Sequence, residues 1–342
     1  MNRKKIILFV FVLLFATATY SQSEYYWFTP GDAQAVKMYI EKRSQIRDSI
    51  IKNNIRNVTT YYKQFDKKGN ITRNVVATEE TYDNKGDLVV KSFYDYKGRP
   101  KYTCYYTYNS SGIQTAFKKF DKKGNYISGW EYIVNANNLV EKRTFYNKKE
   151  SAVSWSESIT YNDAGQPTKT VHTNKKGKVF SSIETDYYTD GNKKEVRHYG
   201  KKGKLISVVK YDCLAVGVIS NNKNSDTAAS CTKSTYDADS NKIITNEIVY
   251  PNGKMWRSIS IINKQGKLIE WKSINPKGEE AYKETHTYND KGLEITHTFT
   301  SSKYTPHNYR LEYVYDDKGQ NTVTKRYNRK NILLYETHKF IR

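Results

Sequence analysis

Along most of the chain, apolar and aromatic positions alternate with Ser, Thr, Lys and Glu over short runs. Val89-Val-Lys-Ser-Phe-Tyr94 is representative. Alternation with period two, rich in β-branched and aromatic residues, predicts β-strands. One phrase punctuates the runs: an aromatic, then Asp or Asn, two polar residues and Gly. It occurs at Phe65–Gly69, Tyr82–Gly86, Tyr94–Gly98, Tyr108–Gly112, Phe120–Gly124, Tyr161–Gly165, Tyr288–Gly292 and Tyr315–Gly319, with degenerate copies at Thr173–Gly177 and Ile262–Gly266. Asp or Asn opens a type I turn by accepting from its own backbone, and Gly takes the left-handed position that closes a bulged hairpin.

The spacing of the turns carries the topology. Gly86, Gly112, Asn138, Gly165 and Gly191 recur about every 26 residues, and Gly98, Gly124, Glu150, Gly177 and Gly203 form a second series with the same period. Consecutive turns of a meander lie on opposite edges of a sheet, so the two series mark two edges. The aromatics before the turns are expected to stack in register: Tyr94, Phe120, Tyr146 and Tyr199 on one edge, Tyr82, Tyr108, Tyr161 and Tyr188 on the other. The fold expected is all-β, a long antiparallel meander of roughly 18–20 strands, open, spiral or stacked, with a propeller of two hairpins per blade as an alternative.

Two segments depart from the pattern. Thr29-Pro-Gly-Asp32 reads as a helix start, with Thr29 as cap, Pro30 at the first position and Asp32 in the first turn. Val36, Tyr39, Ile40, Ile46 and Ile50 then share one face, and Asn53-Asn54 ends it. Such a helix is placed to cap the terminal edge of the array. The second departure is a long loop at 213–231, where a tight turn is expected. Its ends are Cys213 and Cys231, and a disulfide between them would contribute roughly 3 kcal/mol in the chain-entropy model. Cys104 lies mid-strand and reads as a small buried hydrophobe.

Charge adds a direction. The formal net charge is +22, and Tyr outnumbers Phe by 31 to 12. Tyrosine packs its ring while keeping its hydroxyl wet, which suits a thin, half-exposed structure. One edge carries Lys67, Lys68, Lys97, Lys122, Lys123, Lys148, Lys149, Lys175, Lys176, Lys201 and Lys202; turns of the other carry Asn84-Lys85, Ser110-Ser111, Ala136-Asn137, Asp163-Ala164 and Asp190. Asp237-Ala-Asp-Ser240 is expected to break the lysine stripe. The basic edge, about 50 Å long at the spacing of alternate strands, is expected to face an anionic polysaccharide or lipid surface. Arg3, Lys4 and Lys5, the apolar run Ile6–Phe15 and small residues before Gln22 read as a secretory leader over residues 1–21, with an uncleaved anchor as the alternative. This implies export across the inner membrane to a periplasmic, outer-membrane-associated or extracellular site, and it disfavours nucleic acid as partner. The organisation is then a leader, a segment 22–57 with the helix, and a repeat domain 58–342.

Gly98-Arg-Pro-Lys-Tyr-Thr-Cys-Tyr-Tyr-Thr-Tyr-Asn-Ser-Ser-Gly112 and Arg310-Leu-Glu-Tyr-Val-Tyr-Asp-Asp-Lys-Gly319 resemble the YD repeat of rearrangement-hotspot (RHS) proteins. The resemblance covers about residues 60–342. MORN-type hairpin repeats look similar, but their extra glycines are missing. Large RHS members form spiral β-sheet shells around a toxin domain; this chain ends on a repeat strand, so that function does not transfer.

No constellation for catalysis is evident: there is no His-Glu-x-x-His, Gly-x-Ser-x-Gly, phosphate loop or Cys-x-x-Cys. His172 and His198 are expected two strands apart, too far to share a metal. His286 and His297 flank Gly292 and should face each other across a hairpin, but no third ligand is evident. Glu79-Glu80 and Glu279-Glu280 point to opposite faces within each pair. The expectation is a non-enzymatic scaffold without cofactor or metal that binds an envelope or extracellular partner. An immunity or accessory protein of a secretion or toxin system is the alternative, and a carbohydrate-active enzyme a more distant one.

Overall fold

The turn chemistry of the sequence is carried through the computed structural model, which describes residues 32–342 except 67, 149–151, 213–226, 251, 303–307 and 342. The expected leader, Thr29, Pro30 and Cys213 lie outside the described residues. In a typical turn, Asn109 Oδ1 accepts from the Ile113 N–H at 2.9 Å while the Gly112 N–H returns to the Asn109 carbonyl at 3.0 Å. Gly112 sits at φ +78°. Asp95 does more: its Oδ1 accepts from the Lys97 and Arg99 N–H groups at 2.8 and 3.0 Å, and its Oδ2 from Arg99 Nε at 2.8 Å. The Arg99 backbone and side-chain hydrogen bonds hold the Asp95 carboxyl down to about 2. Its stabilisation is therefore fully present above 3.8, the unfolded value, and lost as pH falls through about 2. Thermal melts of wild type and Asp95→Ala should differ at pH 5 and converge by pH 2; a constant difference would contradict this account.

Among the described residues the strands number 21, and each pairs with its sequence neighbours. The first, β1 (Asn57–Phe65), also pairs with the last, β21 (Leu333–Ile341), from Val58↔Ile341 to Gln64↔Tyr335. The sheet is a closed barrel. This corrects the expected open, spiral or stacked sheet, and the propeller. A meander with two free ends would leave two rows of unpaired N–H and C=O groups; closure removes both.

Closure also requires tilt, and the register supplies it. Val90 of β3 (Leu88–Tyr94) pairs with Tyr105 of β4 (Pro100–Tyr108), and Tyr105 with Lys118 of β5 (Gln114–Asp121). Val90 thus aligns with Lys118, not with Ala116 at the repeat spacing. The same offset makes each hairpin climb two residues along its predecessor, which is the stagger a tilted barrel needs. The aromatics expected to stack in register are therefore offset. Five tyrosines instead tie one turn to the next: the hydroxyls of Tyr108, Tyr161, Tyr187, Tyr288 and Tyr315 donate to the carbonyls of Leu88, Val140, Pro167, Leu268 and Glu294 at 2.7–3.1 Å. Burial pushes the last four hydroxyls up to about 12. In one repeat Tyr187, not Tyr188, takes this role. These five ties need a hydroxyl that Phe lacks.

An odd number of strands cannot close with antiparallel pairs alone, because the last strand would run parallel to the first. The exception is one step: β12 (Leu205–Tyr211) and β13 (Thr227–Tyr236) are parallel. The chain leaves β12 at one rim and enters β13 at the other, as a parallel connection demands. Cys231 belongs to β13, so the segment expected as a loop to 231 ends at 226. Cys104 is a free, buried thiol pushed up to about 11 by burial.

The helix α1 spans Ala33–Lys52. Asp32, not Thr29, caps it, accepting from Ala35 N at 2.8 Å. Asn53 closes it, as expected. With no free strand edge to cover, α1 lies across one barrel rim. Ala33 N–H donates to the Gly165 carbonyl at 2.9 Å, Arg47 Nε to the Lys85 carbonyl at 2.8 Å, and Arg43 pairs with Asp87 at 2.9 Å over the Tyr108 ring. Gly86, at φ +74°, has no room for a Cβ, which would meet the Arg47 carbonyl at 2.7 Å. Val36 of α1 joins the main buried cluster with Phe93, Phe117, Trp130, Leu139 and Val140.

Candidate functional site: two unlike rims and an inward cluster

Alternation along the strands, carried around the closed register, assigns every paired residue to the inner or outer face. The inner face is aromatic on the side under α1: Phe93 stacks on Tyr102 at 4.5 Å, Trp130 on Tyr132 at 4.3 Å and Phe145 on Trp155 at 3.8 Å. Buried charges there are paired: Lys91 with Glu80 at 2.8 Å, and Arg143 with Glu157. Farther round, inward residues such as Tyr62, Trp271 and Tyr282 keep partial solvent access. A barrel of this strand number encloses more space than one layer of side chains can fill.

The outer face carries charge at mid-strand. Glu184 meets Lys169 at 3.0 Å, and Arg197 meets Asp186 at 2.6 Å. Glu270 meets Lys283 at 2.8 Å, and Lys325 meets Glu336 at 3.8 Å. Among the described residues no helix is long and apolar enough to cross a membrane.

The two rims differ in charge. The described lysines of the expected stripe, Lys68, Lys97, Lys122, Lys123, Lys148, Lys175, Lys176, Lys201 and Lys202, are all exposed and all lie on the rim opposite α1. Lys67 and Lys149 lie outside the described residues. The parallel step exchanges the rims for all later turns. It moves Asp237–Ser240 to the helix rim, so these acids do not interrupt the stripe. Lys254, Lys277, Arg329 and Lys330 continue it, turning the straight edge into a basic ring. Between two of its turns, Lys101, Lys122 and Lys123 border an open groove of about 490 Å³ with Asp95 and Asp121. The turns of the helix rim carry Asp83, Asp87, Asp163, Asp190, Asp237, Asp239, Asp290, Asp316 and Asp317 against Lys85, Lys264, Lys267, Lys291 and Lys318.

A third feature is an inward cluster on β17 (Glu280–Tyr288) and β18 (Glu294–Ser301). His286 and His297 are directly paired across the hairpin, with rings stacked 4.6 Å apart, as expected. Glu284 shares their face and stands 3.8 Å from His286 Nε2 and 3.7 Å from His297 Nε2. Glu294 bonds His286 Nδ1 at 2.5 Å. Burial alone would lower the His286 value, but Glu284 and Glu294 overcome it and hold the imidazole at about 9. Burial opposes ionisation of Glu284, and the two histidines outweigh it, bringing the carboxyl to about 2. The sequence reading missed this third partner, although Glu284-Thr-His286 in a strand places Glu284 and His286 on one face. His172 and His198 both face inward, but opposite Ser181 and Ile183 respectively, so they are neither in register nor a site.

Comparison with known proteins assigns no family. No family model and no curated protein match the chain. Among solved structures, a porin-like protein from Bacteroides uniformis aligns at 10% identity and a TM-score of 0.31, over 84% of this chain and 98% of that one. A porin-like protein from Bacteroides vulgatus aligns at 8% identity and 0.25, over 84% and 98%. The TcdB2–TccC3–Cdc42 complex aligns at 11% and 0.26, over 82% of this chain and 18% of that one. Likenesses this weak transfer neither membrane insertion nor toxin assembly.

Proposed function

We propose that this chain is an exported, non-enzymatic barrel of YD-like repeats that acts as a binding scaffold at the cell envelope. The basic ring engages an anionic glycan or lipid surface. The observation that carries this reading is the segregation of charge. Lysines predominate in the turns of one mouth, while aspartates outnumber lysines in the turns of the opposite mouth, which α1 covers. A solubilising role for lysine would spread it over both rims. Turns spaced about 9.6 Å apart are close to the Debye length of about 8 Å at physiological salt, so neighbouring turns act together on a polyanion.

The barrel is read as standing in water rather than in lipid. Its outward mid-strand lysines and arginines would each cost about 2–4 kcal/mol at a bilayer midplane. Ion pairs such as Lys169–Glu184 and Lys283–Glu270 stand at mid-strand on the outer face, beside outward ring pairs such as Tyr105–Phe120. Replacing Lys122, Lys123, Lys175, Lys176, Lys201 and Lys202 by Gln should weaken retention on lipopolysaccharide or heparin about ten-fold or more at physiological salt. Retention equal to wild type would overturn the reading. A single salt-resistant protein partner recovered from envelope extracts would favour the accessory-protein alternative.

A further inference from the structure

The cluster on β17 and β18 has the composition and geometry of a metal site rather than of a packed core. Burying a polar atom without a partner costs about 1–3 kcal/mol, so such atoms are normally paired. Here Glu284 Oε2, His286 Nε2, His297 Nε2 and His297 Nδ1 are all buried without a hydrogen bond. His286 is 7% exposed and His297 4%. One donor atom from each of Glu284, His286 and His297 lies within 4.8 Å of the others. A tetrahedral ion with bonds of about 2.0–2.2 Å needs its ligand atoms about 3.3–3.5 Å apart. The two His–Glu separations, 3.7 and 3.8 Å, are within a few tenths of that spacing.

The surroundings fit as well. A metal-binding imidazole usually gives its other ring N–H to a carboxylate, which fixes the tautomer and raises ligand basicity. Glu294 stands in that place, on His286 Nδ1. Two imidazole nitrogens and one carboxylate suit zinc, whereas calcium and magnesium prefer all-oxygen shells.

We propose that Glu284, His286 and His297 bind a zinc ion on the inner wall of the barrel, with a fourth position left for water or a small ligand. Glu294 is a positioning residue that orients His286. The site staples a hairpin away from the part of the barrel that α1 supports. It stands independently of the basic ring.

The test is zinc binding by untagged protein, followed by calorimetry and by elemental analysis after dialysis. Wild type should retain one zinc per chain and take up no magnesium. His297→Ala and Glu284→Gln should weaken zinc about 100-fold or more, Glu294→Gln about 10- to 100-fold, and His198→Ala, elsewhere on the inner wall, not at all. Zinc should raise the melting temperature of wild type and leave that of His297→Ala unmoved. If His297→Ala fails to fold, Glu294→Gln and Glu284→Gln decide. Wild type without stoichiometric zinc, or unchanged affinity in both glutamate variants, would overturn the site.

Discussion

Truncation after Ile332 should convert the closed barrel into an associating, loosely cooperative sheet. The deletion removes β21, which pairs with both β20 (Asn321–Asn328) and β1. Two strand edges would then be open, each a template for pairing with a second chain. The expected readouts are higher oligomers by light scattering and fast hydrogen exchange at Thr59–Lys63 and Thr324–Arg326. Loss should reach β1, far away in sequence, as strongly as β20. A truncated chain with the wild-type size and melting would mean that closure contributes little.

The second large effect is expected at Arg143. Its guanidinium is bonded to Glu157, with Nε at 3.0 Å from Oε2, and lies within 5.0–6.0 Å of the rings of Tyr132, Phe145 and Trp155. Glu157 is 7% exposed. Glu157→Gln leaves a cation among aromatic rings without its counter-charge. Breaking one side of a buried pair costs about 3–5 kcal/mol, a fall of roughly 10 °C in melting temperature for a chain of this size. The double variant Arg143→Met, Glu157→Leu should regain most of the loss, since apolar replacement of a buried pair is often neutral. Calorimetry of the three proteins separates the cases. A Glu157→Gln loss below about 1 kcal/mol would mean that water reaches the pair.

How much of the fold was legible in the sequence depends on how local each determinant is. Strands and turns were legible because each is specified within a few residues: Asp or Asn opens the turn and Gly closes it. Alternation is a local rule, and it places the lysines from Lys68 to Lys202 on one edge. It failed at Asp237–Ser240, since the parallel β12–β13 step that reverses the rims leaves no mark in either strand. Closure was invisible for a related reason. Val58 and Ile341 meet across almost the whole chain, and no residue near either announces the other. The stagger was hidden too, because repeat spacing and strand register are different quantities. Glu284, by contrast, has a local signal that was overlooked: it lies two positions from His286 in a strand.

The parallel step has a bearing on how such a chain can change length. Duplicating one repeat inserts two strands, and every later turn stays at its own mouth. Inserting or losing a single strand would exchange the mouths for everything downstream, sending lysines among the aspartates and unseating the helix. The connection between β12 and β13 acts on the sheet as a compensating frameshift acts on a message. Before it and after it the chain is read in opposite phase, and the two halves agree only because it is there.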